Sequence, residues 1–219
     1  MDKWGKIKAG SKKVWLFIWK GDSFWSWLVN AIIAFIAIRF LVYPLLGLIL
    51  GTGLPIVAVV SESMEHGLHN QRICQQTIEE FRDSFTNYWD VCGEWYEDIG
   101  ITQEQFSAFP FKNGFNKGDV IILWRANVNN IQVGDVLVFK SIQTQPIIHR
   151  VVKILEEENE IFYQTKGDHN SESISGTYGE TKISQGRILG QGVFRIPYLG
   201  WIKILFVDAV RPLGIVIDS

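Results

Sequence analysis

Only two cysteines, Cys74 and Cys92, occur in the 219 residues. They are too few for a disulfide scaffold and have no companion pair that would make a structural zinc site. On one unbroken helix their spacing would hold them ~27 Å apart, so a bridge between them requires an intervening turn. Excess basic charge is also missing: Lys and Arg number 21 against 23 Asp and Glu, a formal net charge of −2. Nucleic acid is therefore excluded as an expected partner. No fixed-period repeat and no low-complexity tract is present, so neither a solenoid nor a long linker is expected. His66, His69 and Cys74 lack a fourth ligand at a standard spacing, so neither a metal nor another cofactor is expected.

Apolar and aromatic residues are abundant instead. The hydrophobic fraction is 47% with nine Trp and fourteen Phe, while charged residues make up 20%. This is the greasy edge of soluble composition and already points to a membrane anchor around one catalytic-size domain. Trp27 to Leu50 reads WLVNAIIAFIAIRFLVYPLLGLIL, ~36 Å as a helix, enough to cross a hydrocarbon core of ~30 Å. Arg39 costs roughly 2.5 to 3.5 kcal/mol at the centre of such a span, which about twenty apolar neighbours outweigh. The run is too long and too late for a removable signal peptide. A hairpin of Val14 to Ile38 and Phe40 to Val60 is the other reading, with Lys20, Gly21 and Asp22 interrupting its first arm. Lys3, Lys6, Lys8, Lys12, Lys13 and Lys20 precede the span. By the positive-inside rule the N-terminus is expected in the cytoplasm and everything after Leu50 outside it.

Beyond the membrane the sequence changes rhythm twice. Ile78, Phe81, Phe85, Trp89, Cys92, Trp95 and Ile99 recur at three- and four-residue steps among Glu79, Glu80, Asp83, Asp90 and Glu94. This spacing predicts an acidic amphipathic helix broken near Gly93. From Lys117 onward DVIILW, DVLVFK, PIIHRVVKIL, EIFYQTK and RILGQGVFRI alternate with turn residues, which predicts an antiparallel β domain. The expected organisation is a cytoplasmic or interfacial segment at 1–26, a transmembrane helix at 27–50, an extracytoplasmic catalytic domain at 51–204 with a helical insert at about 66–116, and a membrane-associated tail at 205–219.

Three short segments carry candidate chemistry: SESM at Ser61 to Met64, IIHRVV around His149, and TKGDHN around Asp168. Alone, each is bland. A serine pair after a strand is a cap, a histidine in an apolar strand is a core residue, and a Gly-Asp turn caps its own backbone.

In combination and order, VVSESMEHG, KGDVIIL, VGDVLVF, IIHRVV and TKGDHN resemble the type I signal peptidases, in the branch found in archaea and the endoplasmic reticulum. The resemblance covers residues 27–64 and 117 to about 204. It implies a mainly β catalytic fold, with Ser63 as nucleophile and His149 as general base where bacterial relatives carry Lys. It also implies Ser61 with the Ser63 N–H as oxyanion hole, and Asp168 near the histidine. The substrates implied are signal peptides of exported preproteins at the surface of the lipid bilayer. Position 174, where the family pattern has a further aspartate, is Ile, and Glu172 is the nearest acid. His169 stands where asparagine is common, and Glu62 where glycine is often seen. A silent scaffold of the same fold, using the acidic insert to bind a protein partner, and a self-cleaving protease are the alternative readings.

Overall fold

The computed structural model describes residues 15–141, 145–176, 179–210 and 212. Lys3, Lys6, Lys8, Lys12, Lys13 and the tail beyond Val210, Pro212 excepted, lie outside these residues. Two compact units divide the chain, Met1–Ile49 and Leu50–Ser219.

In the first unit residues 15–20 are helical and are followed by α1, Phe24–Leu50, the one helix among the described residues long and apolar enough to cross a membrane. Ser23 caps its start by accepting from the Ser26 N–H at 3.2 Å. Ser26 donates to the Phe17 carbonyl, and Asn30 to the Ile18 carbonyl at 2.6 Å, so α1 satisfies the end of the preceding helical turn. Residues Ile38–Val42 widen into a π-turn just before Pro44, which has no N–H with which to continue the ladder.

The second unit is mainly β, as expected. Its strands are β1 (Ile56–Ala58), β4 (Val120–Trp124), β5 (Val136–Phe139), β6 (Ile147–Glu157), β7 (Glu160–Lys166), β8 (Ile183–Ser184) and β9 (Ile188–Ile196). They form one antiparallel sheet in the order β1-β4-β9-β5-β6-β7-β8. The two Gly-Asp turns share one local device. Asp119 accepts from the Asn116 N–H at 2.7 Å and Asp135 from the Gln132 N–H at 2.8 Å, fixing the entries to β4 and β5.

The insert contains a small hairpin, β2 (Arg72–Ile73) with β3 (Gln76–Thr77), then α2 (Phe85–Asp98) and α3 (Gln103–Ser107). The predicted amphipathic helix exists, but it starts at Phe85 and runs through Gly93 without a break. Gly93 is there for packing: a Cβ would lie 2.7 Å from the Trp89 indole, which lies against the helix at that point. Ile78 and Phe81 reach the same apolar cluster as α2 from non-helical backbone, which is why their spacing read as helix. Cys74 and Cys92 are disulfide-bonded with Cα atoms 5.8 Å apart, the hairpin supplying the turn that a bridge requires. The last helix among the described residues longer than a single turn is α4, Trp201–Val210.

β6 is where three apolar clusters meet. Ile148 packs with Val59, Met64 and Phe115; Val152 joins Tyr88, Trp89 and Phe106 of the insert; and Val151 joins Leu137 and Tyr163. A register shift between Val151 and Lys153 leaves Val152 as an extra residue and bends the strand there. The residues just before the bulge, His149 and Arg150, are buried at this meeting point.

Candidate functional site

Met64 fixes the serine segment. Its side chain is buried in the core with Val59, Phe115 and Ile121, and its carbonyl accepts from the Phe115 N–H at 3.0 Å. Ser63 directly precedes it, half-buried, with its carbonyl accepting from the His169 N–H at 2.9 Å. The Ser61 and Ser63 hydroxyls are 3.2 Å apart. His149 sits on β6 opposite Leu137 and is 3% exposed. Ser61, Ser63 and His149 line one cavity of about 220 Å³ with Val60, Asn170 and Ile174.

Gly167 makes this approach possible. A Cβ there would stand 2.7 Å from both the His149 Nε2 and the Ser63 carbonyl oxygen. The imidazole and the serine main chain thus flank one residue that has no room for a side chain. The glycine of the KGD segment has a steric role at the centre of the site.

The acid that holds His149 is Glu180. Its carboxylate pairs with the His149 Nδ1, accepts from the Thr165 hydroxyl at 3.0 Å and accepts from the Ile174 N–H at 2.8 Å. Glu180 is fully buried. The carboxylate is an acceptor for Nδ1, which leaves Nε2 as the ring nitrogen on the Gly167 side. Sequence reading missed Glu180, which lies on the segment before β8 and carries no motif. The signal available was the Ile at position 174, which removed the aspartate of the family pattern and left an orienting acid to be found elsewhere.

Asp168 differs from its expected place beside His149. Successive side chains of a strand point to opposite faces, and Asp168 is on the Arg150 side. Arg150 donates through Nε to Asp168 Oδ1 at 2.9 Å and through Nη2 to Oδ2 at 2.7 Å, both residues being fully buried. The remaining guanidinium hydrogens go to the carbonyls of Pro110, Phe111 and Gly134 at 2.7, 2.9 and 2.9 Å. His66 Nε2 is 2.9 Å from Asp168 Oδ2, and Tyr96 donates to Oδ1 at 3.2 Å. Burial pushes the Asp168 carboxyl up, but Arg150 and His66 more than offset it and hold the group well below the ordinary carboxylate range. These partners are Arg150, His66 and Tyr96, and the carboxylate that meets His149 is that of Glu180. Asp168 anchors the loop carrying Gly167 to β6 and the insert.

Glu172 is exposed and lines a polar cleft whose lining does not include His149. His169, the competing imidazole, has its Nδ1 3.2 Å from the Glu65 carbonyl, and burial pushes it below the ordinary histidine value. Glu62 forms an ion pair with Lys117 at 3.2 Å. Lys166, buried beside the site, rests over the Tyr96 ring at 4.6 Å, and burial lowers its ammonium to about 8 against the pull of Asp168 and Glu180. Among the described residues no group of His, Cys, Asp and Glu could hold a metal ion.

Fold and site together define a class: a mainly antiparallel β protein with a serine and a histidine at one cavity, the histidine paired with a buried carboxylate, preceded in sequence by an apolar helix. Similarity to known proteins is consistent with that class. The chain is 33% identical over 98 residues to the signal peptidase complex catalytic subunit SEC11C of Homo sapiens, covering 43% of this chain and 51% of that protein. It is also 33% identical over 98 residues to the signal peptidase complex catalytic subunit SEC11 of Colletotrichum graminicola, covering 57% of it, and 32% identical to that of Metarhizium robertsii. The chain spans about half the length of the curated relatives it matches. No family model matches it. Over the aligned stretch it is similar to signal peptidase complex catalytic subunits.

Proposed function

We propose that this chain is a membrane-anchored serine endopeptidase that removes signal peptides from exported preproteins. The observation that carries the reading is the shared cavity of Ser63 and His149, with the His149 Nδ1 held by buried Glu180. A hydroxyl is a weak nucleophile at neutral pH and needs a base to take its proton during attack. In the proposed reaction the Ser63 Oγ attacks the scissile carbonyl carbon while His149 Nε2 accepts the hydroxyl proton. Glu180 stabilises the imidazolium that results. The oxyanion is met by the Ser63 N–H and the Ser61 hydroxyl. Collapse breaks the C–N bond as His149 returns the proton to the leaving amine. Water, deprotonated by the same imidazole, then releases the acyl group from Ser63.

The substrate reading rests on the relatives' names and on the cleft. Among the described residues β1 pairs with β4 alone, which leaves its other edge for an added strand. Beside it an apolar groove of about 570 Å³ is lined by Ala58, Val60, Pro146 and Leu189 among others, suited to an apolar segment ending in small side chains. The Cys74–Cys92 disulfide supports an oxidising compartment for the second unit, in line with the positive-inside reading of the N-terminus. Ile202, Leu205 and Phe206 of α4 are exposed and support a membrane-lying C-terminal segment. The exposed acids Glu79, Glu80, Asp90 and Glu94 of the insert form the proposed face for a protein partner.

The test is cleavage of a preprotein by the purified full chain in detergent, with the cut site read by mass spectrometry. Ser63→Ala and His149→Ala are expected to leave a folded chain without processing activity. Wild-type-like cleavage by Ser63→Ala would end the assignment. A serine-directed acylating agent separates this reading from a silent scaffold, which would not be labelled at Ser63.

A further inference from the structure

The cavity of Ser63 and His149 is bordered by two chemically different pockets, each sharing lining residues with it. One arm is the apolar groove along β1, which shares Val57, Ala58, Val60, Gln145 and Pro146 with the cavity. The other is a polar cleft of about 680 Å³, which shares Asn170 and Ile174 with the cavity. One wall of the polar cleft is the loop from His169 to Ser175. The opposite wall is the β2–β3 hairpin of the insert, contributing His69, Arg72 and Gln75.

That second wall is fixed in place. Ile73 is fully buried in the insert's apolar cluster, Cys74 is bonded to Cys92 of α2, and the Cys74 N–H donates to the His169 carbonyl at 3.0 Å. Asn70 and Gln71 at one end of β2, and Cys74 and Gln75 at the other, have φ between 49° and 63°. Paired left-handed residues of this kind make tight hairpin turns. The hairpin therefore presents Arg72 on a rigid frame. Arg72 is exposed, and among the described residues its guanidinium makes one long bond, to the Gln75 carbonyl at 3.5 Å. Among the described residues Glu172 is the one carboxylate lining the cleft, and the rest of the lining is dominated by hydrogen-bonding side chains: histidines, amides and hydroxyls.

We propose that this cleft is the subsite for the substrate residues just after the scissile bond, built by the insert and favouring polar or acidic side chains there. The proposal rests on the peptidase reading and deepens it. An apolar segment ending at Ser63 fills the β1 arm, and the chain beyond the cut must leave the cavity past Asn170 and Ile174. That exit leads between the hairpin and the His169–Ser175 loop, where Arg72 meets an acidic side chain and the amides and hydroxyls meet polar ones. Specificity then has two independent parts, one before the cut and one after it.

The experiment uses the full chain in detergent with three peptides identical up to the cut and carrying Glu, Ala or Lys at the second position after it. The wild type is expected to favour Glu over Lys in kcat/KM by about threefold to fivefold, the scale of one exposed ion pair. Arg72→Glu is expected to invert that ratio, Arg72→Lys to keep it, and Arg82→Glu, elsewhere on the insert, to leave it as in the wild type. Equal rates for all three peptides, or a ratio indifferent to Arg72, would overturn the subsite. Peptide affinity in the Ser63→Ala chain is the second readout and does not depend on turnover. The same Arg72-dependent ranking is expected there, and a flat ranking overturns the subsite even if cleavage occurs. Failure of the wild type to cut any peptide while the ranking persists would overturn the peptidase reading and leave the binding cleft standing.

Discussion

At the scale of single residues, the imidazole is the centre of the site, and what matters is which acid faces it. Glu180 meets the His149 Nδ1 and is itself held by Thr165 and the Ile174 N–H. Glu180→Gln keeps the shape but removes the charge that favours the productive tautomer. A loss in kcat of ~10² to 10⁴ is expected, with little change in folding, by analogy of role with the orienting acid of serine protease triads. Steady-state kinetics beside a thermal melt checks this. Gly167→Ala tests the same centre sterically. A methyl 2.7 Å from both the His149 Nε2 and the Ser63 carbonyl must push one of them away, so activity is expected to fall by at least ~10²-fold. Unchanged turnover in either variant would remove that residue from the mechanism. The serine and the histidine were legible as candidates because each sits in a segment with a recognisable neighbour pattern. Glu180 was not, because its role comes from a loop folding back onto β6 and is marked by no local spacing.

At the scale of elements, the Arg150–Asp168 pair joins β6, the Gly167 loop and the insert. Both groups are fully buried, and the guanidinium also bonds Pro110 and Phe111 of the insert. Removing one partner leaves the other charged and unpaired, so Asp168→Asn is expected to cost about 3 to 5 kcal/mol of stability. Denaturant unfolding measures it, and a variant as stable as the wild type would refute the anchoring role. Lys166, at the end of β7, gives a pH signature. Its folded-state value of about 8 lies below its unfolded 10.5, so the unfolded chain binds more protons between those values. Stability is therefore expected to rise with pH across that window, by up to roughly 3 kcal/mol. The rise should vanish in Lys166→Met. The strands themselves were legible, since DVIILW, DVLVFK and IIHRVV became β4, β5 and the start of β6. The insert was read only in part. Apolar residues from a hairpin and a helix converge on one cluster, and in sequence that convergence imitates a single helical stripe.

At the scale of the whole molecule, the insert is a covalently closed accessory to the β domain. The disulfide ties the hairpin to α2, while Tyr88 of that helix donates to the Asp168 carbonyl at 2.9 Å. The loop bearing Gly167 is thus clamped by an element that the family resemblance leaves unassigned. The cysteines, too few in the sequence for a disulfide scaffold, pair because the chain turns between them. Replacing both by serine releases the closed loop in the unfolded chain, an effect of about 2 to 4 kcal/mol for a bridge of this span. A lower melting temperature is expected. If the hairpin also walls the exit from the cavity, the double variant should lose discrimination between Glu and Lys after the cut more than it loses turnover of the Ala peptide, because Ser63, His149 and Glu180 are positioned by β6 and the core. A uniform loss across all peptides would instead mean that the disulfide serves only the fold.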